Sequence, residues 1–277
     1  MRIWQNTCSI VWVLVVIFAC TGLATAAPTA LEKARERGTI VACADPYNLP
    51  FSSPDPNMPG FDVEIAREIA AGMGLEIAYH WADTGTRGGL SRAVRLSIND
   101  NKCAFFMGIP DEPDMIEEYD EKKLIITRPY LGVGYVLVGK AGGRSPKTLA
   151  EVKDDAKIGV IMFTVGDMFL SADGFRTDPY RLNEENLAAL QKGAVDFSLI
   201  LSSKAGWWLH QNPDSGLAII EGFTPDSRME YGLVIAVRRT EQDLQAAINE
   251  QLEQLVASGR IAEIVAKYGV PFIPPSN

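Results

Sequence analysis

Thr39-Ile40-Val41-Ala42-Cys43, Glu76-Ile77-Ala78-Tyr79-His80-Trp81 and Cys103-Ala104-Phe105-Phe106-Met107-Gly108 decide the fold of this 277-residue chain. Each run is short, apolar and rich in β-branched or aromatic residues. Turn formers such as Gly38 and Pro46 bound the first, so the set reads as buried strands. After a proline-rich loop, Phe61, Ile65, Ala66, Ile69, Ala70 and Met73 recur at helical spacing, and Gly72 and Gly74 supply the stop. A second helix through Leu90, Val94 and Ile98 ends at Asn99-Asp100-Asn101. Strand, helix, strand, helix, strand predicts a parallel sheet with helices on both faces.

The pattern then restarts. Ser145-Pro146 reads as the cap and first-turn proline of a helix, and Lys157-Ile158-Gly159-Val160-Ile161 as a strand. Asn183 is placed as the cap of a helix through Leu187 and Leu190 that stops at Gly193. Val195 to Leu201 is the next strand. Two extended runs with glycine near their starts flank this second unit: Tyr130 to Val138 and Tyr231 to Val237. Their form suits segments that cross between two lobes. From Glu241 the chain is helical, with Leu244, Ile248, Leu252 and Leu255 on one stripe; Gly259 breaks it, and Ile261, Ile264 and Val265 resume it. The expected division is lobe 1 over 27–133 and 237–277, and lobe 2 over 134–236.

Residues 1–26 read as an export signal: Arg2, an apolar run from Ile10 to Ala19, then Ala24-Thr25-Ala26 as a cleavage site. At about ten to fourteen residues the run is short for a spanning helix, which needs about 20. Lipid attachment at Cys20 is the alternative, and Phe18 fits it poorly. Cleavage leaves 25 basic and 35 acidic residues, a formal charge of −10. Such a surface repels nucleic acid and anionic lipid, and a periplasmic location is expected. Cys43 and Cys103 remain. In an oxidising compartment an even pair suggests a disulfide, whose loop closure would contribute roughly 4 kcal/mol. Free buried thiols and a metal pair are the alternatives, the latter without a nearby His or further Cys. The acid-rich run from Asp111 to Lys122 lacks the spacing of a calcium loop and reads as a solvated or docking face. Trp207-Trp208 reads either as two rings packed within lobe 2 or as one core ring and one offered to a partner. His80 and His210 stand apart, no nucleophile, zinc or phosphate-loop motif occurs, and no cofactor is implied.

Gly60-Phe61-Asp62-Val63-Glu64-Ile65-Ala66, Pro129 to Tyr135, Gly193-Ala194-Val195-Asp196 and Ser258-Gly259-Arg260 to Lys267-Tyr268-Gly269, in that order, resemble the type 2 periplasmic binding proteins. The family concerned, extracellular solute-binding family 3, feeds polar amino acids to ABC transporters. The resemblance implies an α/β, two-lobed fold with two crossings and a ligand cleft, and a binding protein rather than an enzyme. Cys43 to Ser52, followed by Gly60-Phe61, is similar to the branch associated with quinoprotein (pyrroloquinoline-quinone) dehydrogenases, the methanol-oxidation proteins MoxJ and XoxJ. Trp81, Arg87 and Cys103 suit that branch. It implies an accessory that matures, activates or supplies a periplasmic methanol or alcohol dehydrogenase. The alternative is an ABC-transporter receptor for a small solute that is not an amino acid.

That exclusion comes from departures. The family's Thr-x-x-Arg element, whose Arg forks onto a ligand carboxylate, is replaced by Gly108 to Met115, with no arginine before Arg128. The family's ammonium-binding Asp after the Val-Asp strand is replaced by Leu201-Ser202-Ser203. Ligands of open α/β sheets sit beyond the carboxyl ends of the strands. The expected site therefore comprises Asp45, Tyr47, Asn48, Phe51, Trp81, Arg87, Met107, Gly108 and Tyr130 from lobe 1, with Met162, Phe163, Thr164, Ser202 and Ser203 from lobe 2. Phe51 and Trp81 could instead be core, Asp45 and Asn48 could organise the turn, and Arg87 could be solvated.

Overall fold

A computed structural model describes residues 27–275; the signal-segment reading lies outside them. The chain opens with α1 (Ala30–Arg37), set by a reciprocal capping box between Thr29 and Glu32. β1 (Thr39–Ala44), α2 (Phe61–Gly72), β2 (Glu76–Trp81), α3 (Gly89–Ser97) and β3 (Phe105–Pro110) follow as the spacing predicts. β1 pairs in parallel with β2 on one side and β3 on the other. Then come α4 (Pro113–Glu121), β4 (Leu124–Ile126) and the long β5 (Leu131–Lys140).

The second unit holds β6 (Lys157–Ile161), α5 (Val165–Ala172), β7 (Arg176–Tyr180), α6 (Asn183–Lys192), β8 (Phe197–Leu201), α7 (Ser202–Gln211) and β9 (Leu217–Ile219). β6 lies parallel between β7 and β8. β10 (Glu230–Arg238), α8 (Gln242–Ala257) and α9 (Arg260–Ala266) complete the chain. The stripe on α8 and α9 packs into the same core as α2 and β1, so the tail returns to the first unit.

Hydrogen bonding runs unbroken in the order β2-β1-β3-β10-β5-β8-β6-β7, yet only β5 and β10 take part in both halves. β5 pairs with β10 over Leu131 to Gly134, then with β8 from Tyr135 to Val138. β10 passes from that short ladder onto β3 at Leu233. Gly132 and Gly232 sit opposite each other within it. The register also fixes where the strands point. The carboxyl end of β3, Pro110, lies beside Leu233, and that of β8, Leu201, beside Tyr135. The carboxyl ends of both parallel sets therefore converge on the crossing from opposite sides.

Burial follows the same division: two apolar clusters cover the two faces of the first half, and two cover those of the second. Each half thus has helices on both sides of its own sheet, the two-lobed α/β architecture of periplasmic binding proteins. Cys43 and Cys103 form a disulfide across 60 positions, fastening the end of β1 to the segment entering β3.

Three local expectations fail. Ser145-Pro146 opens no α-helix: only a single 3-10 turn forms at Leu149–Val152, because those two buried residues are the only apolar anchors there and their three-residue spacing suits a tighter turn. Asn183 makes no capping bond, since Leu182 holds the cap position. The third strand begins at Phe105 rather than Cys103, which the disulfide holds outside the ladder.

Candidate functional site

The floor of the first half is a buried polar trio. Asp62 sits in the first turn of α2 and is 2% exposed. The Tyr130 hydroxyl donates to Asp62 Oδ1 at 2.6 Å. Gly108 passes directly over the pair at φ +69, and a Cβ there would meet Asp62 Oδ2 at 2.2 Å. Only glycine fits, both for backbone and for space. Burial pushes the Asp62 carboxyl up to about 7, against the lowering effect of the Tyr130 bond. Burial also holds the Tyr130 hydroxyl well above its usual range.

Above this floor stands the loop that follows β1. Asp45 Oδ1 accepts the Tyr47 N–H at 2.7 Å, and Oδ2 accepts the Thr84 N–H at 2.8 Å and the Thr84 hydroxyl. Asp45 thus clamps the β1 loop to the β2 loop, the turn-organising role. The clamp leaves Tyr47 82% exposed. Phe51 is buried against Phe61, ring centroids 4.8 Å apart. Trp81 is half-buried and stacks on Tyr79 at 5.4 Å, and Arg87 is exposed.

From the second half, the loop after β6 presents Phe163, 88% exposed with φ +65. A left-handed conformation is strained for a bulky residue. The Phe163 N–H donates to Asp167 Oδ2 at 2.9 Å, which holds the turn. Thr164 caps α5 by accepting the Asp167 N–H. Met162 and Thr164 are half-buried.

Besides the buried Asp45 and Phe51, four further expected ligand residues turn inward. Met107 and Tyr130 are buried in the first core. Ser202 is buried, and its hydroxyl accepts the Gly134 N–H at 3.5 Å; Ser203 is fully buried with its hydroxyl unpartnered. The reason is that α7 starts at Ser202, directly at the end of β8, so the helix's first turn is packed under the crossing strands instead of lying open as a loop.

The residue that sequence reading missed is Lys204, in the first turn of α7. Its Nζ donates to Asn48 Oδ1 at 2.8 Å and to the Leu49 carbonyl at 2.6 Å, bonding the second half to the first. The same ammonium lies 5.2 Å from the centroid of the Phe51 ring. Desolvation lowers it to about 8, against the pull of Glu184 and Asp45. The available signal was a cation in the first turn of a helix, where the dipole disfavours it. Further along α7 the halves also touch: Trp207 packs 6.0 Å from Tyr268, while Trp208 joins the second half's core. The paired tryptophans therefore straddle the two halves, and neither is left as a free anchor.

The acidic stretch is partly structural. Asp111 accepts the Gly232 N–H at 2.5 Å, and Asp120 pairs with Arg239. Burial, aided by Asp111 and Asp114, raises the half-buried Glu112. Among the described residues no cluster of three or more His, Cys, Asp or Glu could hold a metal ion, and no helix is long and apolar enough to cross a membrane.

No protein-family model matches the chain. It is 26% identical over 247 residues to the L-cystine-binding protein TcyJ of Escherichia coli, covering 86% of this chain and 85% of that protein. It is 23% identical over 265 residues to the arginine-binding extracellular protein ArtP of Bacillus subtilis, covering 93% and 97%. In structure it is similar to the L-cystine solute receptor of Neisseria gonorrhoeae in its unliganded open conformation, at a TM-score of 0.73 and 18% identity, over 90% of this chain and all of that one. The chain has the two-lobed type II periplasmic-binding-protein fold, and its sequence is similar to solute-binding proteins over most of its length.

Proposed function

We propose that the protein is the solute receptor of an ABC-type importer, working outside the cytoplasmic membrane and handing a small solute to a permease. The reading rests on one observation: the carboxyl ends of both parallel strand sets converge on a two-strand crossing, and the loops leaving the carboxyl ends of β1 and β6 carry the exposed Tyr47 and Phe163. Likeness to receptors over most of the chain's length supports it. In this reading lobe 1 comprises 27–133 and 237–277, lobe 2 comprises 134–236, and Tyr47, Asn48, Trp81, Arg87, Met162, Phe163 and Thr164 line the gap. Asp45, Phe51, Gly108 and Tyr130 shape it from beneath. A thermal-shift screen of small solutes tests the proposal. A true solute at 100-fold its Kd stabilises the fold by about 2.7 kcal/mol. A screen in which nothing shifts the melting temperature contradicts the reading.

The relatives' solutes are amino acids by name, whereas no arginine occurs between Gly108 and Arg128 here. We therefore keep the solute outside the ordinary amino acids, and the same screen checks that too. A second reading, an accessory to a periplasmic quinone-dependent alcohol dehydrogenase, is favoured by the Cys43-to-Phe61 segment and by the exposed apolar side chains Tyr47, Phe163 and Met168. Titration with such a dehydrogenase separates the readings. Micromolar association without any solute response selects the accessory.

A further inference from the structure

The end of the first half farthest from the crossing is basic, although the chain as a whole is acidic. Two cavities open there, of about 450 and 470 Å³. The first lies between α1 and the amino ends of β1 and β3, and Lys33, Arg37 and Lys102 line it. The second lies beside the turn from α4 to β4, and Lys122, Lys123 and Arg239 line it. Arg238, the last residue of β10, lines both. Leu233 in the crossing and Arg238 lie roughly 16 Å apart along that strand, so this pole is separate from the gap between the halves.

Acids of the fold hold four of these seven cations. Lys102 lies 3.9 Å from Asp100, Lys122 pairs with Glu118, and Arg239 pairs with Asp120. Arg238 sits 3.5 Å from Glu241 and donates to the Ile98 and Cys103 carbonyls at 2.8 Å. Glu241 is the one acidic residue that lines either cavity, and it also accepts the Ala30 N–H at 2.7 Å. Among the described residues Lys33, Arg37 and Lys123 have no acidic partner, and all three are exposed. The first helix sorts its charges accordingly. Ala30, Lys33, Ala34 and Arg37 recur at helical spacing on the side that lines the first cavity, whereas Glu32 and Glu36 line neither. Like charges one turn apart repel, and no acid of the fold offsets that repulsion.

Exposed cations steer and hold an oppositely charged surface rather than grip one desolvated ion. Two cavities joined at one arginine suit an extended row of carboxylates. Neither cavity has an aromatic lining residue on which a nucleic-acid base could stack, and a flat lipid surface does not enter cavities. We infer that this pole docks an acidic segment of a partner protein, whose carboxylates pair with Lys33, Arg37 and Lys123. The docking is independent of the receptor reading, because the pole and the gap lie at opposite ends of the first half's strands.

Fluorescence anisotropy with a labelled hexaglutamate peptide tests this on the purified protein. The peptide binds saturably at low salt, and at least tenfold more weakly as salt rises from about 20 to 200 mM. Lys33→Glu/Arg37→Glu/Lys123→Glu, which reverses the three unpaired charges, weakens binding at least tenfold. The neutral variant Lys33→Gln/Arg37→Gln/Lys123→Gln weakens it less, in the same direction. Both variants melt as the wild type does, since none of the three side chains has an acidic partner in the fold; if the reversed variant melts early, the neutral one carries the test. Lack of saturable binding, or full affinity in the neutral variant, overturns the inference. Phosphatidylglycerol vesicles or oligothymidylate binding as tightly as the peptide overturns it too.

Discussion

Asp62 gives the sharpest residue-scale prediction. Its carboxyl is raised by burial to about 7 from an ordinary value of 3.8, so between about pH 4 and 7 the folded protein keeps a proton that the unfolded chain has released. The folded state binds more protons in that window, and stability must fall as pH rises through it. Three units correspond to about 4 kcal/mol as an upper bound. Denaturant unfolding of the wild type therefore shows stability lost between pH 4 and 8, and Asp62→Asn removes most of that slope; parallel profiles for the two proteins contradict it. Gly108→Ala places a methyl group against Asp62 Oδ2 and costs about 3 kcal/mol or more through strain and crowding, read as a lowered melting temperature. Sequence reading selected Gly108 and Tyr130 for lying at strand ends. It could not see that they close over Asp62, because that contact joins three segments distant in sequence. The partners of Lys204 were hidden for the same reason, lying 155 and 156 positions away.

At the scale of elements, period and punctuation were enough wherever an element buries one clear face. β1, α2, β2, β6 and α8 fall where their apolar spacing places them. β7 carries Arg176-Thr177-Asp178-Pro179-Tyr180, polar and partly exposed at the sheet edge, and only pairing with β6 makes it a strand. α1 was missed because its eight residues bury only Leu31 and Ala34. The Cys43–Cys103 pairing was legible from number and compartment, and the fold bears it out. Replacing both cysteines by serine lowers stability by roughly 4 kcal/mol; equal melting temperatures with and without reductant contradict that. The α7 junction is equally exposed to test. A Cβ on Gly206 would lie 2.3 Å from the Gly269 carbonyl, so Gly206→Ala pushes α7 off the C-terminal segment and lowers the melting temperature. An unchanged melting temperature shows that the junction yields freely.

The whole molecule is two packed α/β halves with four separate apolar cores. They are joined by β5 and β10, by the contact of Trp207 with Tyr268, and by Lys204. Among the described residues the cores meet only at the crossing, where Leu233 to Ala236 of β10 enter the first half's cores and Leu201 and Trp207 pack against them, so relative motion of the halves costs little apolar burial elsewhere. Two lobes and two crossings were readable from the repeated strand-helix pattern and the glycine-bearing extended runs. The lining of the gap was less readable, because position at a strand's end does not say whether a side chain turns outward, as Tyr47 and Phe163 do, or inward, as Ser202 and Ser203 do. Small-angle X-ray scattering of the purified protein, titrated with a solute that stabilises it, tests the central claim most directly. The radius of gyration falls saturably at one solute per chain, as the halves draw together over the bound molecule. A scattering profile that no solute changes, alongside a protein partner that binds tightly, contradicts it.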